Sequence, residues 1–312
     1  MDYSQILSQQ FNIKEEYAKN IITLLDDGNT IPFIARYRKE MHGSMDDQLI
    51  REFAEKLEYL RGLDKRRDEI RSLIDTQEKL TDEINLALDK AATLSELEDI
   101  YRPYRPKRKT RASIAKEKGL EPLANDILKQ EKGFDPSKSA VDYIDEEKGV
   151  TSVEDAIQGA MDIIAELVSD NAEIRKRIRN LTNANGVLVS VATDEEKDSV
   201  YKNYYDYKEP VKKIAGHRVL AVNRGEKEGF LKVSVETDSE KPLNSIFRAM
   251  ITDKNQLCSD IIREACTDAY QRLIYPSIER EVRNDLTDTA AENAMKVFAV
   301  NLKQLLMQPP TA

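Results

Sequence analysis

The sequence lacks tryptophan and is poor in cysteine, histidine, glycine and proline. Only two Cys and two His occur among 312 residues. Two cysteines exclude a disulfide-held scaffold and favour a reducing compartment, and Cys258 and Cys266 share one face of a predicted helix, which indicates buried thiols. Two histidines leave little room for a His-rich metal centre. Eleven glycines and ten prolines are about half the usual share, which favours a mainly helical chain.

The chain also lacks long apolar runs and familiar catalytic motifs. No stretch approaches the ~18 uncharged apolar residues of a membrane helix, and the N-terminal residues do not resemble a secretory signal. We therefore expect a cytoplasmic protein without a membrane partner. Phosphate-binding loops, dinucleotide fingerprints, zinc-protease motifs and nucleophile elbows are absent from the sequence. We expect no enzyme activity, no cofactor and no bound metal.

Charge is abundant but unevenly distributed. Charged residues make up 34% of the chain, and the formal net charge is −9. That value argues against a surface that is basic throughout, as a general nucleic-acid binder would have. Residues 101–118, here called the basic stretch, carry eight Lys or Arg and one acid, a local charge of +7. Because the whole chain carries −9, the remaining residues carry −16.

We predict that the basic stretch contacts nucleic acid. Closely spaced cations displace the counterions of a phosphate backbone, and interleaved tyrosines can stack on bases. The alternative is that the basic stretch docks on an acidic surface of its own chain, since charge alone does not identify the partner. The predicted contact residues are Tyr101, Arg102, Tyr104, Arg105, Lys107, Arg108, Lys109 and Arg111.

His217 is the residue that comes closest to an active site. It lies near Arg218, Arg224 and Glu226, and such side chains suit acid–base chemistry. They also suit a bracing role at a turn between a helix and a strand. We favour bracing, because no nucleophile or oxyanion-stabilising group accompanies the histidine. His42 is predicted to lie in a loop without a role.

Apolar spacing predicts a mainly α fold with a minor β element. Helical periodicity marks the long helices and period-two alternation marks the strands, while residues 131–150 are predicted to be an acidic loop. Pro276 is expected to break or kink the last helical region. The long helical regions are predicted at 46–75, at 153–182 with a second helix after Asp170, and at 255–306, and the strands near 187–191 and 230–235.

Several separated segments resemble the bacterial Tex proteins, a family of transcription accessory factors. They occur in the same order over about residues 31–306, which makes the resemblance specific. The segments are Ile31–Glu40 (IPFIARYRKE), Leu97–Tyr104 (LEDIYRPY), Lys107–Leu123, His217–Glu226 (HRVLAVNRGE) and Asn301–Leu306 (NLKQLL).

The resemblance implies a longer protein than this chain. Members of the family continue into an RNase H-like domain, helix-hairpin-helix elements and an S1 domain, to which nucleic-acid binding is largely attributed. We therefore expect this chain to be an N-terminal fragment that ends before those domains. The resemblance also implies a helix-turn-helix-like module, which we place in Leu80–Gln130.

Together these expectations define three segments and a function. Residues 1–75 are an N-terminal helical segment, 76–150 the helix-turn-helix-like module with its basic connector, and 151–312 a helical region with a small β element and long C-terminal helices. The expected function is a scaffold that contacts RNA or DNA without base specificity and positions the downstream domains. The alternative is an interaction platform for RNA polymerase or other transcription proteins, without nucleic-acid binding of its own.

Overall fold

The computed structural model describes residues 2–106, 108–252 and 254–307. The chain divides into two compact units, residues 1–105 (unit 1) and 106–312 (unit 2). Both units are mainly helical, and unit 2 contains a small antiparallel sheet, which confirms the predicted fold class. The predicted boundaries after residues 75 and 150 fall inside unit 1 and unit 2, respectively.

Unit 1 is a helical unit with two apolar cores. The longest helix begins where the Asp46 carboxylate accepts a hydrogen bond from the Leu49 amide at 2.8 Å, an N-cap of the usual kind. It contributes Phe53 to the first core and Ile70 to the second. The helices are α1 (Tyr3–Phe11), α2 (Glu15–Asp26), α3 (Ile31–Tyr37), α4 (Lys39–His42), α5 (Asp47–Asp75), α6 (Asp82–Lys90) and α7 (Leu94–Tyr101).

A buried histidine fixes the short helices α3 and α4. His42 is fully buried, and its Nε2 donates a hydrogen bond to the Ile34 carbonyl oxygen at 3.1 Å. The Asn20 side chain donates to the Met41 carbonyl oxygen at 3.1 Å. The prediction that His42 lies in a loop is wrong, because this side chain links the end of α4 to α3 within the core.

Unit 2 is organised around one amphipathic helix. This helix, α11, packs against α8, α9, α10 and α15, and contributes Ile163, Ile164 and Val168 to a continuous apolar core. The helices of unit 2 are α8 (Arg111–Glu117), α9 (Glu121–Lys129), α10 (Pro136–Ala140), α11 (Val153–Asp170), α12 (Ala172–Asn185), α13 (Gly216–Lys227), α14 (Glu240–Met250), α15 (Gln256–Asp268) and α16 (Tyr275–Leu306).

The sheet of unit 2 has three described strands in the order β2-β1-β3, and both pairs are antiparallel. They are β1 (Val187–Ala192), β2 (Asp206–Pro210) and β3 (Leu231–Glu236). The sequence predicted β1 and β3 but missed β2. This strand reads Asp-Tyr-Lys-Glu-Pro and pairs on one side with β1, so its alternation involves charged residues rather than the apolar residues that mark a strand.

The predicted second helix after Asp170 is confirmed: the Asn171 side chain accepts a hydrogen bond from the Ile174 amide at 3.0 Å and caps α12. Two other helical predictions need correction. Residues 131–150 are not entirely loop, since α10 and a 3₁₀ turn at Val141–Tyr143 lie within them. Pro276 does not break the chain's helical path. A π-helical turn at Ala269–Ile274 joins α15 to α16, and the proline occupies the first turn of α16, where its missing N–H is tolerated.

Candidate nucleic-acid interface

The first part of the basic stretch, residues 101–105, packs into unit 1. α7 ends at Tyr101 and continues as a 3₁₀ turn over Arg102–Tyr104. Tyr101 is only 6% exposed, and the guanidinium carbons of Arg66 and Arg105 lie 5.8 and 5.7 Å from its ring centroid. A base cannot reach this ring without displacing side chains of the second apolar core.

A single carboxylate, that of Glu98, binds two arginines beside Tyr101. The Arg66 Nε atom donates to Glu98 at 2.7 Å, and the Arg105 guanidinium donates to the other carboxylate oxygen. Tyr104 is partly buried against the second core, and its carbonyl oxygen accepts a hydrogen bond from the Gln77 side chain at 2.9 Å. Internal docking, the alternative that the sequence left open, therefore describes this part of the basic stretch.

The part of the basic stretch that belongs to unit 2 is more open. Arg108, Lys109 and Arg111 are exposed, whereas Lys107, another predicted contact residue, lies outside the described residues. The Lys109 ammonium is 3.5 Å from the Glu117 carboxylate, and both side chains are well exposed. Water and salt screen such a pair strongly, so Lys109 remains available to an anionic ligand.

A capping box fixes where α8 begins, directly after these cations. The Thr110 hydroxyl accepts a hydrogen bond from the Ser113 amide at 3.0 Å, and the Ser113 hydroxyl accepts one from the Thr110 amide at 2.8 Å. This reciprocal arrangement satisfies two backbone donors at the start of the helix. The cap thereby orients the backbone from which Lys109 and Arg111 extend.

Arg111 borders a groove of about 220 Å³ between α8 and α11. On the α11 side, burial raises the pKa of the Asp162 carboxyl, and the guanidinium groups of Arg111 and Arg272 partly offset that effect. One Asp162 oxygen is buried and accepts no hydrogen bond from any described residue. Arg111 is therefore exposed but also attracted to an acid of its own chain, so we expect Arg108 to be the stronger phosphate ligand of the two.

The helices that follow the exposed cations have the local arrangement of a helix, a turn and a second helix. α8 and α9 are separated by three residues that include Gly119, whose φ of +82° is a conformation that favours glycine. Both helices pack on α11. The region Leu80–Gln130 spans parts of both units, so the helix-turn-helix-like module as we placed it stays a prediction.

The neighbourhood of His217 connects α13 to the sheet. His217 is exposed in the first turn of α13. The next residue, Arg218, lies 2.9 Å from the Glu209 carboxylate on β2. Glu226, near the end of α13, accepts a hydrogen bond from the Val233 amide on β3 at 3.2 Å. Arg218 and Glu226 thus brace α13 against two strands of the sheet, and these contacts do not involve the His217 side chain.

The structure also bears on metal ligands, membrane spans and thiols. Within the described residues, no group of three or more His, Cys, Asp or Glu side chains is arranged to hold a metal ion. The described helices include none that is both long and apolar enough to cross a membrane. Cys258 and Cys266 are free thiols, fully buried in the apolar core of unit 2, which confirms their predicted burial.

Comparisons with known proteins show which family the chain belongs to. The family model of the Tex-like protein N-terminal domain matches residues 1–75, and the Tex central region-like model matches residues 131–298. Protein YdcI of Bacillus subtilis (strain 168) is 44% identical over 317 residues, which cover 99% of this chain and 44% of that protein. The transcriptional accessory protein Tex of Neisseria gonorrhoeae is 36% identical over 99% of this chain and 42% of its own length.

A human protein is related at lower identity. S1 RNA-binding domain-containing protein 1 of Homo sapiens is 31% identical over 327 residues, which cover 99% of this chain and 32% of the human protein. The chain thus spans less than half the length of each of these three relatives.

Proposed function

This chain belongs to the Tex-like family, whose members include transcriptional accessory proteins, and on that premise we propose that it contacts the phosphate backbone of RNA or DNA without base specificity. The observation that carries the proposal is a group of three exposed cations at the start of a capped helix. Arg108 and Lys109 precede the N-cap residue of α8, and Arg111 is the first residue of that helix. The human relative is named for RNA binding by that protein, and this name is consistent with the proposed contact.

The proposed contact is electrostatic. Each Lys or Arg that approaches a phosphate releases condensed counterions, so binding depends on charge density and not on base sequence. Arg105 contributes less than the residues after it, because its guanidinium group is already hydrogen-bonded to the Glu98 carboxylate. The proposed interface is therefore narrower than the full set of residues predicted from the sequence.

Charge reversal tests this proposal. The 312-residue chain is titrated into labelled single-stranded RNA and into two DNA duplexes of unrelated sequence at low salt, and binding is followed by fluorescence anisotropy. We expect the two duplexes to bind equally well. The variant Arg108→Glu/Lys109→Glu/Arg111→Glu should weaken binding to every probe by about tenfold or more. Absence of binding by the unmodified chain, or unchanged binding by the variant, would refute the proposal.

A positioning role for the far end of α16 is the second part of the proposal. Apolar side chains are exposed there on all sides of the helix, including Phe298 (67% exposed) and Leu306 (75% exposed). A helix that is apolar all round is normally buried, and large exposed apolar patches mark interaction sites. Because the relatives are more than twice as long, we propose that this end supports the RNase H-like, helix-hairpin-helix and S1 domains of a full-length protein.

Protease protection tests the positioning role. In a full-length Tex-like protein, cleavage within residues 295–307 should be much slower than in the 312-residue chain, because packed backbone is a poor protease substrate. Equal cleavage rates in the two proteins would contradict the role. Lys148, an exposed residue in the turn between Asp145 and Val150 that is followed by a glycine, provides a reference cleavage site whose rate should not change.

We further propose that this region is not itself an enzyme and that any contact with RNA polymerase uses surfaces other than the exposed cations. The bracing contacts of Arg218 and Glu226 support the first statement. A polymerase pull-down with the charge-reversed variant tests the second. Retained polymerase together with lost RNA binding supports separate surfaces, whereas loss of both contradicts them.

A further inference from the structure

The segment Ile31–Glu40 carries a second group of exposed cations, in unit 1, around an aromatic pair. We propose that Phe33, Arg36, Tyr37, Arg38 and Lys39, here called the aromatic platform, bind single-stranded nucleic acid by stacking a base on Tyr37. This surface shares no residue with the basic stretch. The inference goes beyond the backbone contact proposed above, because it assigns a stacking site and a preference for unpaired bases.

The geometry of the two rings leaves one of them open. Tyr37 is 63% exposed, and its ring centroid lies 5.3 Å from that of Phe33, with the ring planes inclined by 41°. The Arg38 guanidinium carbon lies 5.2 Å from the Phe33 centroid and covers that ring. Phe33 and Arg38 therefore support Tyr37, whose exposed ring can accept a base. Tyr101, at 6% exposure, offers no such surface.

The cations of the aromatic platform differ from most arginines of unit 1 because, among the described residues of that unit, they do not pair with a carboxylate. Within residues 2–105, no carboxylate lies within 4.0 Å of the charged groups of Arg36, Arg38 or Lys39. Elsewhere in the unit, arginine side chains are largely neutralised by acids of the same chain. The arginines that pair with a carboxylate are Arg51, Arg61, Arg66, Arg67, Arg71 and Arg105.

The aromatic platform rests on a fixed base. The buried His42 side chain ties α4 to the Ile34 carbonyl group of α3, and the Asn20 side chain holds the end of α4. Gly43 follows α4 with a φ of +66°, and its Cα lies so close to Tyr17 that a Cβ there would be 2.6 Å from the ring. A site held in place before binding loses little conformational entropy when the ligand arrives.

An exposed ring beside unpaired cations favours single-stranded nucleic acid over an acidic peptide. Phosphates and carboxylates both satisfy the cations, but only a nucleic acid also brings a flat π face for Tyr37. Every base has such a face, so the site needs no sequence preference. Bases within a duplex are stacked on one another and do not reach a surface tyrosine, which limits the site to unpaired strands.

Substitution of Tyr37 tests the stacking directly. The 312-residue chain is titrated into a labelled oligouridylate and into a matched strand in which the bases are replaced by abasic sites. Tyr37→Ala should weaken binding to the oligouridylate by about tenfold, the value of one stacked base, while Tyr37→Phe should bind as the unmodified chain does. The abasic strand should not distinguish the three proteins. Tyr59→Ala, at a 43% exposed tyrosine of α5, is the control and should change nothing.

The cations are tested by the salt dependence of the same titration. Arg36→Ala/Lys39→Ala should lower the slope of log affinity against log salt by about 1.4, since each contact with a single strand contributes about 0.7. Lys19→Ala/Arg51→Ala removes the same charge from residues already paired with acids and should leave the slope unchanged. Arg38 is retained because it packs on Phe33.

The outcomes separate this inference from the proposed function. If Tyr37→Ala binds the oligouridylate as well as the unmodified chain does, the aromatic platform is not a stacking site, even where charge reversal at Arg108, Lys109 and Arg111 abolishes binding. If polyglutamate of equal charge competes as well as RNA, the surface recognises charge alone and the inference fails. Loss of binding in Tyr37→Ala with normal binding in the charge-reversed variant supports the aromatic platform and contradicts the proposed role of the basic stretch.

Discussion

At the scale of single residues, two glycines at helix ends show when this residue type is required. Gly43 and Gly28 both have positive φ, +66° and +79°. A Cβ at Gly43 would lie 2.6 Å from the Tyr17 ring, whereas a Cβ at Gly28 would meet nothing within 4 Å. Gly43→Ala should therefore lower the free energy of unfolding by about 3 kcal/mol, from backbone strain and overpacking together. Gly28→Ala should cost about 1 kcal/mol.

Chemical denaturation of both variants checks this difference. Since the backbone strain is common to the two sites, the excess cost at Gly43 measures the contact with Tyr17. Equal destabilisation of the two variants would show that the Tyr17 ring moves aside freely and that the base of the aromatic platform is not fixed.

The thiols provide a second prediction at the residue scale. Burial raises the pKa of Cys258, and it raises that of Cys266 to about 12. Because the thiolate is the reactive form, neither cysteine should react with a thiol reagent at pH 8 while the chain is folded. Both should react once guanidinium unfolds it. Rapid labelling of either thiol in the folded chain would contradict the burial.

The residue scale also shows where prediction of the site from sequence reached its limit. The exposure of Arg108 could be predicted, because the sequence around it is dense in Lys and Arg and charged side chains are rarely buried. The pairing of Arg105 with Glu98 was not predicted, although seven residues are two helical turns and place both on one face. Pro103 and Pro106 disfavour a continued α-helix at this point of the sequence, but the 3₁₀ turn after α7 keeps the side chains of Glu98 and Arg105 together.

At the scale of elements, caps were the most reliable sequence signal. Thr81 and Thr93, each followed by acidic residues as is typical of N-caps, cap α6 and α7, and Ser152, which follows Thr151 in a sequence of capping-box form, caps α11. Strand β2 was missed because its sequence has no apolar alternation. The division of 153–182 after Asp170 was predicted, and Asn171 caps the second of the two helices. Local chemistry thus predicts where helices begin better than it predicts how tertiary pairing uses a polar segment.

The cap of α8 leads to a prediction that joins stability to binding. Thr110→Ala removes the side-chain acceptor of the Ser113 amide and should cost about 1 kcal/mol of unfolding free energy. Because the cap orients Lys109 and Arg111, this variant should also bind RNA more weakly. Ser152→Ala removes the corresponding cap of α11, where the Asp155 amide donates at 3.1 Å, and should cost similar stability without weakening RNA binding.

Denaturation and anisotropy titration of the two cap variants provide the check. Equal loss of stability with a selective loss of RNA affinity in Thr110→Ala is the expected pattern. An RNA affinity that falls equally in both variants would show that general loosening of unit 2, and not orientation of the cations, governs binding.

At the scale of the whole molecule, net charge conceals two kinds of surface. The net charge of the chain is −9, yet exposed cations stand side by side at the start of α8 and in the aromatic platform, while other exposed lysines such as Lys129 and Lys138 pair with acids. Most other arginines are engaged by acids of the same chain, so we expect the proposed phosphate contacts at these two groups. The basic stretch can be recognised from the sequence, but the sequence does not show which of its residues pack into unit 1 and which are exposed.

A matched pair of variants isolates the exposed part. Lys129, Lys138 and Lys148 lie in unit 2, are well exposed, and each pair with an acid three residues earlier. Substituting these three by alanine removes the same charge as substituting Arg108, Lys109 and Arg111. The two triple variants therefore have the same net charge and differ in where that charge is lost.

The most direct measurement is the salt dependence of RNA affinity for the unmodified chain and for these two triple variants. We expect Arg108→Ala/Lys109→Ala/Arg111→Ala to lower the slope of log affinity against log salt by about 2, the sum of three contacts with a single strand. The lysine control should keep the slope of the unmodified chain. Equal slopes for the two triple variants would contradict a phosphate contact at the start of α8.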